Sequence, residues 1–507
     1  MVRFSHVLRG TIWLLAAGLI AKMLGAVFRI PLTAMLGGTG MGYYSSAYGL
    51  FLPVFSLSVT GINTALSAQT AQYLAKERPE AAHRLSVQAL RLFAVIGTAA
   101  SAALLLLAKP LCTNVLHNPR AALSVQCFAP AVLICCLTAV LRGKAEGHQK
   151  MQPTAVSQIA EGFARVGFGL FLCSYALRHS AALLPRFPAG TEAEELAAAA
   201  AILGVTLSAL VGLLVMLCFR VPKPPVCNPR EDRQILRDFL CLLIPVTAAS
   251  LVTNLTTLID LAAGLPVLVK ALGSEEQANF CFGAYSGLAV TMFNLVPSVT
   301  NTLGKGALPA FAEACAAGDL GQAALHAENV LRRTAFLCIP AGLGLSVLAE
   351  PVLQMLFASR QTEIALAAPA LQILGIAVIF TALSYPLFSM MQGAGFGGEP
   401  LKVMLLGAAV KLPCNLLLIP RIGLTGTAWA TLLCYLVILL ASVRRFRKST
   451  ELPCPLLLYC AKPLMAGLLC AAAAYMLNGY LPLPVTVAGA GAVYFLVSLL
   501  IMKPKQT

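Results

Sequence analysis

Glu161 and Arg165 stand one helical turn apart in a stretch, residues 141–169, that otherwise reads as membrane-spanning. A charge near the bilayer centre costs about 2.5 to 3.5 kcal/mol on insertion scales, so such side chains are expected to face a cavity or partner helices. Their chemistry is ionic. A carboxylate and a guanidinium at this spacing form a pair within one helix, and a guanidinium with donors to spare is a fork for phosphate. The stretch opens with a hydrophilic, Gly-rich turn and starts a helix at Pro153. It then runs polar at Ser157, Gln158, Glu161 and Arg165, which share one helix face.

Similar residues recur elsewhere in apolar surroundings. Gly18, Lys22, Gly25 and Arg29 form a stripe of small and cationic residues at steps of four, three and four. Lys411 repeats the position of Arg165 in a later segment, but Gly407 stands where Glu161 would be. Asp260 closes a polar stripe with Thr253, Thr256 and Thr257, placed either to answer Lys22 or Arg29 or to take an ion or proton. Further stripes run through Ser56, Thr60, Asn63, Ser67 and Thr70, and through Asn294, Ser298, Asn301 and Lys305. Four cations, Lys22, Arg29, Arg165 and Lys411, against two carboxylates, Glu161 and Asp260, leave the expected interior two charges positive. Four unpaired cations would cost on the order of 10 to 14 kcal/mol, which water, carboxylates or an anionic ligand must offset. A diphosphate suits such a lining, since lysine supplies a point charge and arginine a bidentate fork.

Other chemistries find little footing. The glycines of 393–398 precede no GK[ST] ending and follow no strand, so they read as a loop. His148 reads as a loop residue, and the Asn254 sequon falls inside an apolar segment. Most of the sixteen cysteines lie in apolar runs without CxxC or Cys/His spacing, as small packing residues. No metal site, disulfide framework, cofactor or catalytic triad is implied; a coupling ion, Na+ or H+, is the one small partner left open.

The elements that must hold these charges are membrane helices. The chain is 59% hydrophobic and 11% charged over 507 residues, with a mean hydropathy of +0.82, which a water-facing globule would not accommodate. Apolar windows long enough for a hydrocarbon core of about 30 Å recur about fourteen times. They fall near 11–37, 45–73, 86–108, 121–141, 154–177, 196–219, 239–264, 279–303, 334–349, 365–391, 401–419, 422–443, 457–477 and 481–502. The net charge of +16 sits in alternate connections. Roughly 25 Lys and Arg, Arg142 and Lys144 among them, fall in one set of loops and about 7 in the other. That asymmetry excludes nucleic acid as the reason for the charge and places both termini in the cytoplasm. The first apolar run outlasts a signal-peptide core and contains Lys22 and Arg29, so it reads as a first span.

Two stretches about 240 residues apart share order and spacing. Ala47-Tyr48 answers Ala284-Tyr285, Ala108-Lys109-Pro110 answers Ala349-Glu350-Pro351, and Ala129-Pro130 answers Ala368-Pro369. Gly147, Pro153 and Arg165 answer Gly393, Pro400 and Lys411. The expected organisation is a six-helix bundle over 1–225, a second over 226–450, and two further helices over 451–507. A proline- and charge-rich linker at 222–237 joins the bundles. Halves with six spans each share one orientation, an arrangement of transporters with a site between repeats.

Gly143, Gly147, Met151, Pro153-Thr154-Ala155-Val156-Ser157-Gln158, Glu161 and Arg165 resemble the most recognisable segment of the stage V sporulation protein B family. These are polysaccharide exporters of the multidrug, oligosaccharidyl-lipid and polysaccharide (MOP) superfamily. Lys22, Gly25, Arg29-Ile30-Pro31-Leu32 and the run from Leu36 to Leu50 are similar to that family's first helix and following loop. This chain departs from the family at Lys144, Ala145 and Glu146, where aromatic and Gln residues are common. The resemblance implies a flippase for an undecaprenyl-diphosphate-linked sugar, such as lipid II, working by alternating access. It also implies that the last two helices help form a groove for the lipid tail.

The expectation is therefore an all-α protein of the bacterial cytoplasmic membrane, not an enzyme. Its partners would be a lipid-linked oligosaccharide and membrane lipids, and it would act as a monomer. Lys22, Arg29, Arg165 and Lys411 would contact the diphosphate in a central cationic cavity. Glu161 and Asp260, with Asn63, Asn301 and Gln158, would support them or couple an ion. The rivals are a drug/cation antiporter of the multidrug and toxic compound extrusion (MATE) type, a membrane glycosyltransferase or polymer ligase, and a non-transporting scaffold. An antiporter for cationic drugs would want acid where this interior is basic, and a glycosyltransferase or ligase a larger outer loop than 178–196. Loss of Glu161 should be tolerated where loss of Arg165 is not.

Overall fold

The computed structural model describes residues 2–56, 61–188, 190–219 and 232–501. Among them regular structure is helical throughout, with short 3₁₀ and π segments and no strand. Nine helical segments among the described residues are long and apolar enough to cross a membrane. The chain is a multi-pass membrane protein, and it divides into compact units Met1–Ala262 and Ala263–Thr507.

The first unit contains α1 (Val2–Phe55), α2 (Gly61–Ala75), α3 (Pro79–Pro110), α4 (Ala122–Gly147), α5 (Gln152–Arg178), the one-turn α6 (Ser180–Leu183), α7 (Ala193–Cys218) and α8 (Asp232–Ile259). The loop expected at 38–44 is instead helical. One residue breaks α1, Gly37, whose φ of 64° and ψ of −169° lie where a side chain is strained. Helix starts follow from their sequences, with Pro153 in the first turn of α5 and Glu194 and Glu195 in the first turn of α7. Helix α8, which follows the proline-rich linker, packs on α1, α2 and α3.

Helices α5 and α7 lie against each other along much of their length, and glycine makes this possible. A Cβ on Gly204 of α7 would stand 2.5 Å from Gly169 Cα of α5 and 2.6 Å from its backbone nitrogen. Backbone meets backbone, with no side chain that can turn aside. Gly204→Val is therefore expected to cost about 3 kcal/mol or more, the upper range for overpacking, because α7 must move off α5. A melting curve of the purified protein in detergent checks this. An unchanged midpoint would show that the crossing yields freely.

The second unit contains α9 (Leu265–Leu272), α10 (Glu275–Ala284), α11 (Val290–Ala316), α12 (Leu320–Val347), α13 (Ala349–Leu356), α14 (Gln361–Gly393), α15 (Gly398–Ile422), α16 (Leu424–Thr450), α17 (Leu456–Leu477) and α18 (Leu483–Ile501). Caps are legible here. Ser274 accepts from the Gln277 amide at 3.3 Å and Asp319 from the Gln322 amide at 2.9 Å. The duplicated signals fall at matching places, since α4 ends at Gly147 and α14 at Gly393, while α5 starts at Gln152 and α15 at Gly398. The last two helices join α12 through Leu348, Ala466, Cys470, Ala474, Ala490 and Tyr494. The Tyr494 hydroxyl donates to the Phe336 carbonyl at 2.7 Å.

Candidate functional site

Helix α4 continues six residues past the apolar window that ends at 141, and this brings an unexpected residue into the site. Arg142 is not a loop cation; it lies within α4, which ends at Gly147. Gly143 and Gly147 are likewise helical rather than part of a turn. They face α2, where a Cβ on Gly147 would meet Thr70 Cβ at 2.5 Å. Close approach of α2 thus accounts for glycines whose composition suggested a loop.

Arg142 and Arg165 share one carboxylate. Arg142 Nη2 donates to Glu161 Oε2 at 3.0 Å and Arg165 Nη2 to Glu161 Oε1 at 2.8 Å. Arg142 Nη2 also donates to Ser157 Oγ at 2.7 Å, and that hydroxyl donates in turn to the Gly212 carbonyl of α7 at 2.9 Å. Gly212 is the seat of this group. A Cβ there would press within 3.1 Å of Glu161 Oε2 and 3.4 Å of Arg142 Nη2. The three charged side chains are largely buried, at 16% exposure for Arg142, 19% for Glu161 and 28% for Arg165. Two guanidiniums on one carboxylate leave the group at net +1. The Nε atoms of both arginines are buried, and among the described residues no protein acceptor pairs with either.

Such a group can receive an anion. Its unused donors point inside the protein, and low dielectric surroundings strengthen what they bind. Arg29 lies on α1, the helix that also carries Tyr44 and Tyr48. Tyr44 stacks on Tyr48 at 5.9 Å between ring centroids. Tyr48 and Phe51 both meet Phe128, the latter at 3.9 Å. Aromatic rings of α1 and α4 accordingly pack together beside the charges, with Tyr44, Phe51 and Phe128 buried and Tyr48 half-buried.

The other expected site residues fall in several places. Lys22 is on α1, but its side chain lies outside the described residues, as does that of Lys305. Arg29 is half-buried on the same helix, one turn before Thr33, whose hydroxyl donates to the Arg29 carbonyl at 2.9 Å. Gln158 is half-buried on α5, beside Ser157 in sequence. Asn63 is not with Glu161; its Nδ2 donates to Glu146 Oε1 at 3.2 Å, at the end of α4. Asp260 opens the π segment Asp260–Gly264 after α8. In the second unit Lys411 is 2% exposed on α15, one turn before Asn415 at 0%, and Asn301 is half-buried on α11. Gly407 opposes Ile438 of α16, with room for no side chain. A side chain at position 407 would displace Ile438, so no residue at that position repeats Glu161.

Comparison with known proteins gives a consistent picture. Residues 7–314 match the family described as polysaccharide biosynthesis protein. The chain is 25% identical to stage V sporulation protein B of Bacillus subtilis strain 168, over 83% of this chain and 80% of that protein. It is 24% identical to the lipid II flippase MurJ of the same organism, over 86% of this chain and 81% of that one. Among solved structures, an inward-facing multidrug resistance MATE family transporter of the MOP superfamily aligns with a TM-score of 0.66 and 15% identity. That alignment covers 87% of this chain and 99% of the other.

Proposed function

Because the chain belongs to the polysaccharide biosynthesis protein family, a family of membrane transporters and flippases of the MOP superfamily, we propose that it flips an undecaprenyl-diphosphate-linked saccharide. The diphosphate lipid would enter from the cytoplasmic side of a bacterial membrane and leave on the other by alternating access. The observation that carries this reading is the sharing of Glu161 by Arg142 and Arg165 inside the first unit. It is a buried cationic group with guanidinium donors in reserve.

Glu161 occupies the place on the two guanidiniums that an anionic substrate would take. A diphosphate has more acceptor oxygens than one carboxylate and a higher charge, so it competes for the Nη donors and engages the Nε donors as well. Arg29 and Lys22 of the first unit and Lys411 of the second supply further charge during the cycle. The saccharide, uncharged over much of its surface, packs on Tyr48, the half-buried ring of the aromatic cluster. Family members named for lipid II and for spore formation make a peptidoglycan precursor the first substrate to try.

The test is transbilayer movement of fluorescent lipid II and of a simpler undecaprenyl-diphosphate sugar in vesicles carrying the purified protein. Movement of at least one of them, blocked by excess undecaprenyl diphosphate, is the expected result. No movement of either, with export of cationic dyes instead, would assign the protein to drug antiport, for which the fold is also suited.

A further inference from the structure

Glu146 is a second half-buried carboxylate, separate from Glu161, and its surroundings differ in kind. It sits in the last turn of α4, half-buried, and among the described residues it makes no ion pair. The positive charge that reaches it is Arg142, one turn earlier, whose Nη2 is already committed to Glu161 and Ser157. What faces Glu146 instead is neutral oxygen and amide. Asn63 of α2 donates through Nδ2 at 3.2 Å while its Oδ1 is buried without a donor. Thr154 of α5 is 0% exposed and stands beside the same carboxylate. Its Oγ1 closes no well-aligned hydrogen bond to protein.

From this we infer a binding site for a monovalent cation, sodium, formed by Glu146, Asn63 and Thr154. A carboxylate, an amide oxygen and a hydroxyl are hard oxygen ligands, and they come from three helices. Turning the Asn63 amide over exchanges Nδ2 for Oδ1, which puts its idle acceptor toward the carboxylate, where a cation would use it. One negative charge balances one monovalent ion. A divalent ion would leave the site positive beside Arg142, at a Coulombic cost in a partly desolvated place. The site also lies where α2 closes on α4, since a Cβ on Gly143 would come within 3.0 Å of the Asn63 carbonyl. Sodium bound there ties α2 to α4 and α5, so occupancy is linked to the packing of the helix that carries Arg142.

The proposal concerns ion binding and holds whatever lipid is carried, so it is tested without substrate. The full-length protein in detergent is melted across a sodium chloride series, with choline chloride and potassium chloride at equal ionic strength. A saturable rise in midpoint specific to sodium is expected. Glu146→Gln should abolish it, and Thr154→Val, which keeps the shape but removes the hydroxyl, should raise the half-saturating sodium concentration at least tenfold. Direct ²²Na⁺ binding by the Thr154→Val protein gives the same reading should Glu146→Gln fail to fold. A rise of equal size in choline or potassium would overturn the sodium site, as would one that survives both substitutions. A response to acid without any to sodium would give Glu146 to a proton instead.

Discussion

Arg165→Ala is expected to lower the rate of lipid transport about 100-fold while leaving the protein folded. The first half follows from the value of a desolvated guanidinium–phosphate contact. Truncating one partner of a buried charge pair costs about 2 to 5 kcal/mol, and each 1.4 kcal/mol is tenfold. The second half follows from geometry, because Glu161 keeps Arg142 as a partner when Arg165 is gone. Arg165→Lys should recover part of the rate, since it restores the charge without the planar fork. The check is initial transport rate against melting midpoint in one preparation. Normal transport by a folded Arg165→Ala protein would remove the guanidinium from the substrate path.

Glu161→Ala is expected to do the opposite and strike the fold first. It leaves Arg142 and Arg165 without their common counter-charge, in a place where α4, α5 and α7 meet through Ser157 and the Gly212 carbonyl. Breaking a buried pair by removing one partner costs about 3 to 5 kcal/mol, and here two guanidiniums lose it at once. Yield and melting midpoint should fall further than for Arg165→Ala. A double substitution that also removes Arg142 should recover stability, giving a coupling energy of about 1 to 3 kcal/mol in a mutant cycle. Additive losses would mean that the two side chains do not depend on each other. Pairing with two arginines thus argues against the sequence-based expectation that loss of Glu161 is tolerated. That expectation treats the carboxylate as the partner of one arginine, and the structure makes it the partner of two.

That difference shows where sequence was and was not informative. The spacing of Glu161 and Arg165 predicts their pair, and Pro153 marks the start of their helix, because both are local relations along one helix. The all-helical class followed from hydropathy alone. Hydropathy places Arg142 and Glu146 in a connection, because the apolar window ends at 141 and hydropathy registers lipid contact rather than helix continuation. The signal that locates them is their spacing of four, which puts both on one face with Asn63 and Glu161 as cross-helix partners. Gly143 and Gly147 read as a turn by composition, but in a membrane bundle glycine also marks where two helices approach closely, here α4 and α2. Its apolar surroundings predict that Lys411 is buried, as it is, but what Gly407 makes room for, Ile438 on another helix, is a long-range fact.

The placement of Arg142 across from Glu161 also bears on biogenesis. The two lie on consecutive helices, α4 and α5, joined by residues 148–151. A nascent chain that offers these helices to the bilayer one at a time must lodge Arg142 alone, and then Glu161 with Arg165, at about 2.5 to 3.5 kcal/mol per charge. A chain that inserts them as a hairpin carries the counter-ion with the ion, and only one surplus guanidinium has to wait for company. The connection is short enough to enforce this pairing during synthesis. Lengthening it should slow membrane integration of α4 and α5 without altering any contact in the finished protein, a cost visible in pulse-labelled insertion and absent from the melting curve.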